Sequence, residues 1–194
     1  MTLVVVRHGR TAANASGILL GRLDPPLDEL GREQAAAAAQ AIARLHPGAV
    51  VVSSPLVRTR ETAGYIAADL GATVDIDDRW IEVDYGELDG TPLAEIPPDL
   101  WARWRSDPAF TPPGGESLAA LGERVRAACD DLAPVARDRD IVVVTHVSPV
   151  KAALTWALGV GDEVTWRTYV QPGSITRIDC RPTGPVLLSF NTVP

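Results

Sequence analysis

Two stretches of this sequence set an imidazole just past a run of apolar residues. Leu3-Val4-Val5-Val6 leads into Arg7-His8-Gly9, and Ile141-Val142-Val143-Val144 leads into Thr145-His146. Short runs rich in β-branched residues read as strands buried on both faces. The carboxyl ends of such strands are where open α/β sheets bind ligands. The chain holds 3 histidines in all, so two of them at equivalent strand ends call for a chemical reason. Arg7 adds a cation beside His8, and Gly9 lets the backbone turn tightly and an anion come close. Arg58 follows a third apolar run, residues 49–52, in the first turn of a helix that Ser54 and Pro55 would open. With the strands parallel, His8, His146, Arg7 and Arg58 share one crevice. Two guanidinium forks and two imidazoles suit a tetrahedral dianion, because the forks match its oxygens bidentately and stabilise charge during phosphoryl transfer. Taken singly, Arg58 reads as a helix-surface charge and His146 as a core histidine. Taken together they read as a site.

The elements that would carry these residues alternate between short apolar strands and helices. Residues 11–14 form a helical turn, and a loop follows. Asp28 caps a helix over 29–45, which Pro47-Gly48 stops. His46, the remaining histidine, reads as a solvated residue at the end of that helix. The helix opened by Ser54-Pro55 runs to about residue 70, and 73–76 is another short strand. Residues 79–90 read as irregular. A Trp-bearing helix over 93–104 leads into a loop rich in Pro and Gly, and 118–137 is a long amphipathic helix. Ser148-Pro149 opens a helix to about residue 158, and 174–180 and 186–190 close the sheet.

The bulk numbers bound the rest. A chain of 194 residues fits one α/β domain, 1–194, with a sizeable core. The formal net charge of −7 argues against nucleic-acid or membrane-surface partners, which want a basic face. Cys129 and Cys180 lack the spacing of a metal knuckle or redox pair and read as buried reduced thiols. The first residues enter a strand directly, without the pattern of a signal peptide, and no apolar run approaches membrane-spanning length. The expectation is a cytoplasmic protein, monomer or homodimer.

Several segments in order resemble the histidine phosphatase (phosphoglycerate mutase-like) superfamily, branch 1. Arg7-His8-Gly9 matches its first motif, with Thr11 and Asn14 as the continuation. Gly21, Asp24, Pro26-Leu27 and Gly31 match the next segment. Residues 54–63, from Ser54-Pro55 through Arg58 to Ala63, resemble its second arginine motif. Glu82, with Tyr85-Gly86 and Asp89-Gly90, resembles its proton-donor segment. Gly115-Glu116-Ser117 and His146 complete the pattern. The resemblance covers most of the chain. The composition of the loop within residues 91–117 suits a lid or rim over the site; the resemblance implies a three-layer α/β sandwich with a mostly parallel central sheet flanked by helices. It implies that His8 is the nucleophile, that Arg7, Arg58, His146 and Asn14 hold the phosphate oxygens, and that Gly21 and Val147 contact substrate. It selects Glu82 as the proton donor over Asp84 and Glu87.

Three positions depart from the pattern. Arg10 stands where many relatives carry Glu or Gln, Leu20 replaces a common phosphate-contacting polar residue, and Val147-Ser148-Pro149 replaces a glycine-rich continuation. The last run is similar to that of relatives of the cobalamin-pathway phosphatases and speaks against a glycolytic mutase. The expected activity is hydrolysis of a small phosphorylated metabolite through a phosphohistidine on His8, with no metal and no cofactor. A phosphoglycerate mutase-type transferase and a non-catalytic phosphate binder are the alternatives. Mutase relatives tend to be longer, with a segment that shields the phosphoenzyme from water. Trp80, Trp101, Trp104 and Phe110 either line the leaving-group side or, as aromatics more often do, fill the core.

Overall fold

At the centre of the computed structural model, which describes residues 1–194, lies strand β1 (Thr2–Arg7), buried along its whole length. Its side chains alternate between two cores. Leu3 and Val5 face one cluster with Val143, Trp80, Leu121 and Val125, whereas Val4 and Val6 face another with Val142, Ala38, Ile42 and Ile66. Burial on both faces is why Leu3 to Val6 carries no polar residue: each such side chain contributes roughly 1.5–3 kcal/mol by leaving water.

After β1 come a short helix α1 (Ala12–Ala15), the long helix α2 (Glu29–Leu45), β2 (Val50–Ser53), α3 (Val57–Leu70) and β3 (Val74–Ile76). Then follow α4 (Pro98–Ser106), α5 (Leu118–Val135), β4 (Ile141–Thr145), α6 (Val147–Leu158), β5 (Ile175–Arg181) and β6 (Gly184–Thr192). The six strands form one sheet in the order β3-β2-β4-β1-β5-β6. β1 pairs parallel with β4, and β2 pairs parallel with both β4 and β3; β5 and β6 run antiparallel at the far edge. Helices α2 and α3 cover one face and α5 and α6 the other. The fold is the expected three-layer sandwich.

Several expectations need correction. Ser54 and Pro55 do not open α3: the helix begins at Val57, with Leu56 at its cap position and no cap bond from its own side chain. Asp24 supplies the cap from elsewhere, its Oδ1 accepting from the Val57 N–H at 2.7 Å. This leaves Ser54 free for another task. Likewise α6 starts at Val147 with His146 as its cap residue, not at Ser148. The helix expected over 93–104 is broken at Pro97-Pro98, giving a 3-10 turn at Leu93–Glu95 and then α4. Proline cannot continue a helix from the preceding residue. The 3-10 helix at Asp162–Arg167 carries no signal that the sequence reading used. His46 is not solvated: it is 3% exposed, and its Nδ1 lies 2.9 Å from Asp140 Oδ2. Trp80 belongs to the core, and Trp104 and Phe110 pack with Leu19, Ile96 and Leu118 in a smaller satellite cluster.

Candidate active site

Parallel pairing of β1 with β4 sets Arg7 opposite Thr145, so the residues after them emerge at one edge of the sheet. The His8 N–H donates to the Thr145 carbonyl at 2.9 Å, and the rings of His8 and His146 lie 5.2 Å apart, centroid to centroid. Both imidazoles are buried. The loop carrying His8 is held against the start of α2 by two glycines. A Cβ on Gly9 would stand 2.1 Å from the Gly31 carbonyl oxygen, and one on Gly31 would stand 1.9 Å from the Arg10 oxygen. Any side chain at either position would force the loop away from the helix.

The tautomer of His8 follows from its partner. Nδ1 lies 2.6 Å from the Gly9 carbonyl oxygen. A carbonyl can only accept, so Nδ1 carries the hydrogen and Nε2 keeps its lone pair. Burial, and then the nearby Arg58 and Arg7 charges, hold the His8 imidazolium well below the ordinary range. Burial and Arg58 do the same for His146. Both rings are therefore neutral at physiological pH, and His8 is a free base. His146 is oriented by Ser54, whose Oγ lies 2.7 Å from Nε2.

The arginines are buried charges with part of their hydrogen-bonding capacity unused. Arg7 donates from Nη1 to the Val170 carbonyl at 2.6 Å, and burial pushes its pKa down to about 10. Arg58 is 0% exposed. Its Nη1 and Nη2 hold the carbonyls of Leu23 and Gly21 at 2.7 and 2.8 Å, and its nearest carboxylate is Asp24 at 3.7 Å. Burial lowers the Arg58 pKa, and Glu82 and then Asp24 offset this only in part, as expected for a buried guanidinium whose pairing is incomplete. Arg7 Nε, Arg58 Nε and His146 Nδ1 are all buried without a protein partner. Three unpaired buried nitrogens around one imidazole base make a receptor for an anion.

Glu82 reaches the same place from the segment after β3. It is 3% exposed. Its Oε1 accepts from the Val83 N–H at 2.9 Å and from the Ser148 N–H at 3.2 Å, in the first turn of α6. The carboxylate thus sits where a helix offers unpaired N–H groups. Two side chains pin the segment below it. Thr145 Oγ1 donates to the Trp80 carbonyl. Arg124 grips Glu116 with Nε and Nη2, both at 2.8 Å, and donates to the Arg79 and Glu82 carbonyls at 2.6 and 3.3 Å.

A cavity of about 500 Å³ opens over this cluster, lined by Arg7, His8, Asn14, Glu82, Tyr85 and Val147 among others. As first residue of α6, Val147 has an N–H without an intrahelical acceptor. His146 and Arg58 lie fully buried beside the wall. Gly21 is not brought to the lining: its N–H donates to Asp89 at 2.7 Å, its carbonyl holds Arg58, and a Cβ there would meet the Val83 oxygen at 2.8 Å. Its part is to seat Arg58. Of the expected rim over 91–117, Leu93 alone lines the cavity. Sequence reasoning missed Ser54, Arg124, Tyr85, Gln34 and Tyr169 as parts of the site. Ser54 and Tyr85 lay inside the matched motifs; Arg124, Gln34 and Tyr169 carried no signal. No group of three or more His, Cys, Asp or Glu side chains is arranged to hold a metal ion.

Comparison with known proteins gives a consistent result. The model of the histidine phosphatase superfamily (branch 1) matches residues 3–193. The chain is 34% identical over 193 residues to phosphoserine phosphatase 1 of Hydrogenobacter thermophilus, covering 97% of this chain and 91% of that one. It is 38% identical over 177 residues to a bifunctional protein of Mycobacterium tuberculosis, covering 90% of this chain. It spans 49%, about half, of the length of that relative. Among solved structures, a mycobacterial glucosyl-3-phosphoglycerate phosphatase in complex with VO3 superposes with a TM-score of 0.90 at 29% identity, covering 98% of this chain and 99% of that one. The phosphoserine phosphatase of Entamoeba histolytica, in complex with 3-phosphoglyceric acid, gives 0.89 at 27% identity, covering 98% and 96%.

Proposed function

The chain belongs to the histidine phosphatase superfamily, branch 1, and from that premise we propose that it is a phosphomonoesterase acting on a small phosphorylated metabolite. The observation that carries the reading is the neutral His8 with a free Nε2, set among Arg7, Arg58 and His146, each with an unpaired buried nitrogen. In the first step the Nε2 lone pair forms the N–P bond while the P–O ester bond breaks in line. Arg7, Arg58, His146, Asn14 and the Val147 N–H take up the charge on the phosphoryl oxygens. Glu82 acts as the general acid and passes a proton to the departing alkoxide. In the second step the Glu82 carboxylate accepts a proton from water, whose oxygen attacks phosphorus, and the N–P bond breaks to return His8 and release phosphate. The arginines supply the positive charge in this scheme, the neutral His146 ring and the backbone N–H supply further donors, and no step calls on a metal.

The relatives named above as phosphoserine and glucosyl-3-phosphoglycerate phosphatases support phosphomonoester hydrolysis as the reaction class. Two free, buried thiols suit a reducing compartment, so the enzyme is read as cytoplasmic; no helix is long and apolar enough to cross a membrane. The test is release of inorganic phosphate from a panel of sugar, nucleotide, glycerate and cobalamin-precursor phosphates by the wild type and by His8→Ala. Turnover by the wild type with none in the variant is expected. Equal turnover by both would refute the assignment of the nucleophile.

A further inference from the structure

Part of the cavity lining offers hydrogen-bond donors that the protein does not use. Arg10, Asn14 and Gln34 line the cavity together with His8. The Arg10 N–H donates to Gln34 Oε1 at 2.9 Å, and the Thr11 N–H donates to Asn14 Oδ1 at 3.1 Å. A backbone N–H is met only by an amide oxygen, so both amides are fixed in orientation and keep their NH2 groups free. Arg10 spends Nε on Asp28 Oδ2 at 2.8 Å, and its two Nη groups have no acceptor in the protein. The other oxygen of Asp28 accepts from the Gly31 N–H at 2.7 Å, which ties the carboxylate to the start of α2. The Asp28 pair orients the Arg10 guanidinium, which is 37% exposed and keeps its outer edge open. Glu82 is the one carboxylate on the lining, and in the proposed reaction it faces the leaving oxygen.

We propose that Arg10 and Gln34 form a subsite that reads a carboxylate on the leaving group, so that the favoured substrates are phosphomonoesters of carboxylate-bearing alcohols. This rests on the phosphatase reading above. In the proposed reaction Asn14 serves the phosphate, which leaves Arg10 and Gln34 on the same lining as a second donor set. Charge counting selects a carboxylate over a second phosphate. Arg10 brings a single cation, already shared with Asp28, and balances one negative charge better than two. A planar carboxylate also matches the edge of a guanidinium through two parallel bonds.

The test compares D-3-phosphoglycerate with glycerol 3-phosphate, which differ by a carboxylate in place of a hydroxymethyl group. The full chain should favour the former in kcat/KM. Arg10→Gln should lower that preference about tenfold or more, chiefly through KM, as loss of a charge-assisted pair does. Gln34→Glu keeps an oxygen for the Arg10 N–H and sets a negative charge where the amide nitrogen stood. It should lower the preference while leaving the Arg10–Asp28 pair in place. An unchanged ratio in both variants overturns the subsite. Parallel losses on both substrates overturn it too, because Arg10 would then serve the phosphate. A stronger preference for fructose 1,6-bisphosphate over fructose 6-phosphate would overturn the choice of carboxylate. If the wild type turns over none of these, the phosphatase reading is judged separately on the wider panel given above. Calorimetric binding of 3-phosphoglycerate and glycerol 3-phosphate to the same proteins then still decides the subsite, by whether Arg10→Gln narrows the difference in Kd.

Discussion

Replacing Glu82 by glutamine separates proton transfer from everything else the carboxylate does. In the folded protein Oε1 accepts from the Val83 and Ser148 N–H groups at 2.9 and 3.2 Å. A glutamine carbonyl can accept both, so the change replaces charge-assisted bonds by neutral ones at a cost of about 1 kcal/mol. The proton is lost altogether. General acid catalysis is worth about 10²–10⁴-fold, which at 1.36 kcal/mol per decade is about 2.7–5.4 kcal/mol of barrier. For an alkyl phosphate the whole penalty falls on the first step, because an alkoxide cannot leave without a proton. A nitrophenolate can, so nitrophenyl phosphate should still phosphorylate His8 at nearly the wild-type rate. Water attack on the phosphoenzyme then lacks its base. Stopped-flow traces of Glu82→Gln with nitrophenyl phosphate should show a burst of about one nitrophenolate per active site, followed by a slow steady state. Turnover of glycerol 3-phosphate should fall by the full factor. Equal losses on the two substrates with no burst would refute the acid–base role of this residue.

Two further outcomes follow from the buried histidines. Ser54→Ala removes the hydroxyl 2.7 Å from His146 Nε2 and leaves a buried ring nitrogen unpaired. The expected cost is about 1–3 kcal/mol of stability, read as a lower thermal midpoint together with a reduced kcat; wild-type values of both would remove Ser54 from the site. His8 and His146 are held neutral in the fold by burial and by Arg58 and Arg7, but both take up protons once unfolded below the ordinary imidazole range. The unfolded chain then binds more protons than the folded one, so stability falls as pH drops. The slope approaches about 2.7 kcal/mol per pH unit, from two protons, between about pH 6.5 and 5. Urea titrations across that range test it, and a flat profile would mean that the two rings protonate freely in the native state.

The sheet was legible because its central strands are buried on both faces. Leu3 to Val6 and Ile141 to Val144 cannot be placed elsewhere without exposing apolar surface, and a histidine two residues past each run fixed the edge where the site lies. Local signals misled where a distant residue did the local work. Ser54 has the chemistry of a helix cap, yet Asp24, 33 positions away, caps α3, and the serine hydroxyl turns to His146. Gly21 lies in a matched motif but serves Arg58 through its carbonyl. Arg124 could not be found in advance. It lies on an amphipathic helix among other charged residues, and its grip on the Arg79 and Glu82 carbonyls depends on how α5 packs against the segment after β3. His46 looked like a helix-end residue on the surface until Asp140, at the start of β4, covered it. In each case the missing information was tertiary: which backbone groups remain unpaired once the elements are packed.

The proposed mechanism requires that the His8 Nε2 become covalently phosphorylated during turnover. Rapid acid-free quenching of the enzyme with a radiolabelled phosphomonoester, followed by proteolysis and mass spectrometry, reads this directly. A phosphohistidine mechanism predicts an alkali-stable, acid-labile phosphoryl group on the peptide containing His8, formed and lost at rates compatible with kcat and increased in Glu82→Gln when nitrophenyl phosphate is the donor. Steady turnover with no phosphoryl group on His8 at any time, or with one on a different residue, would contradict it.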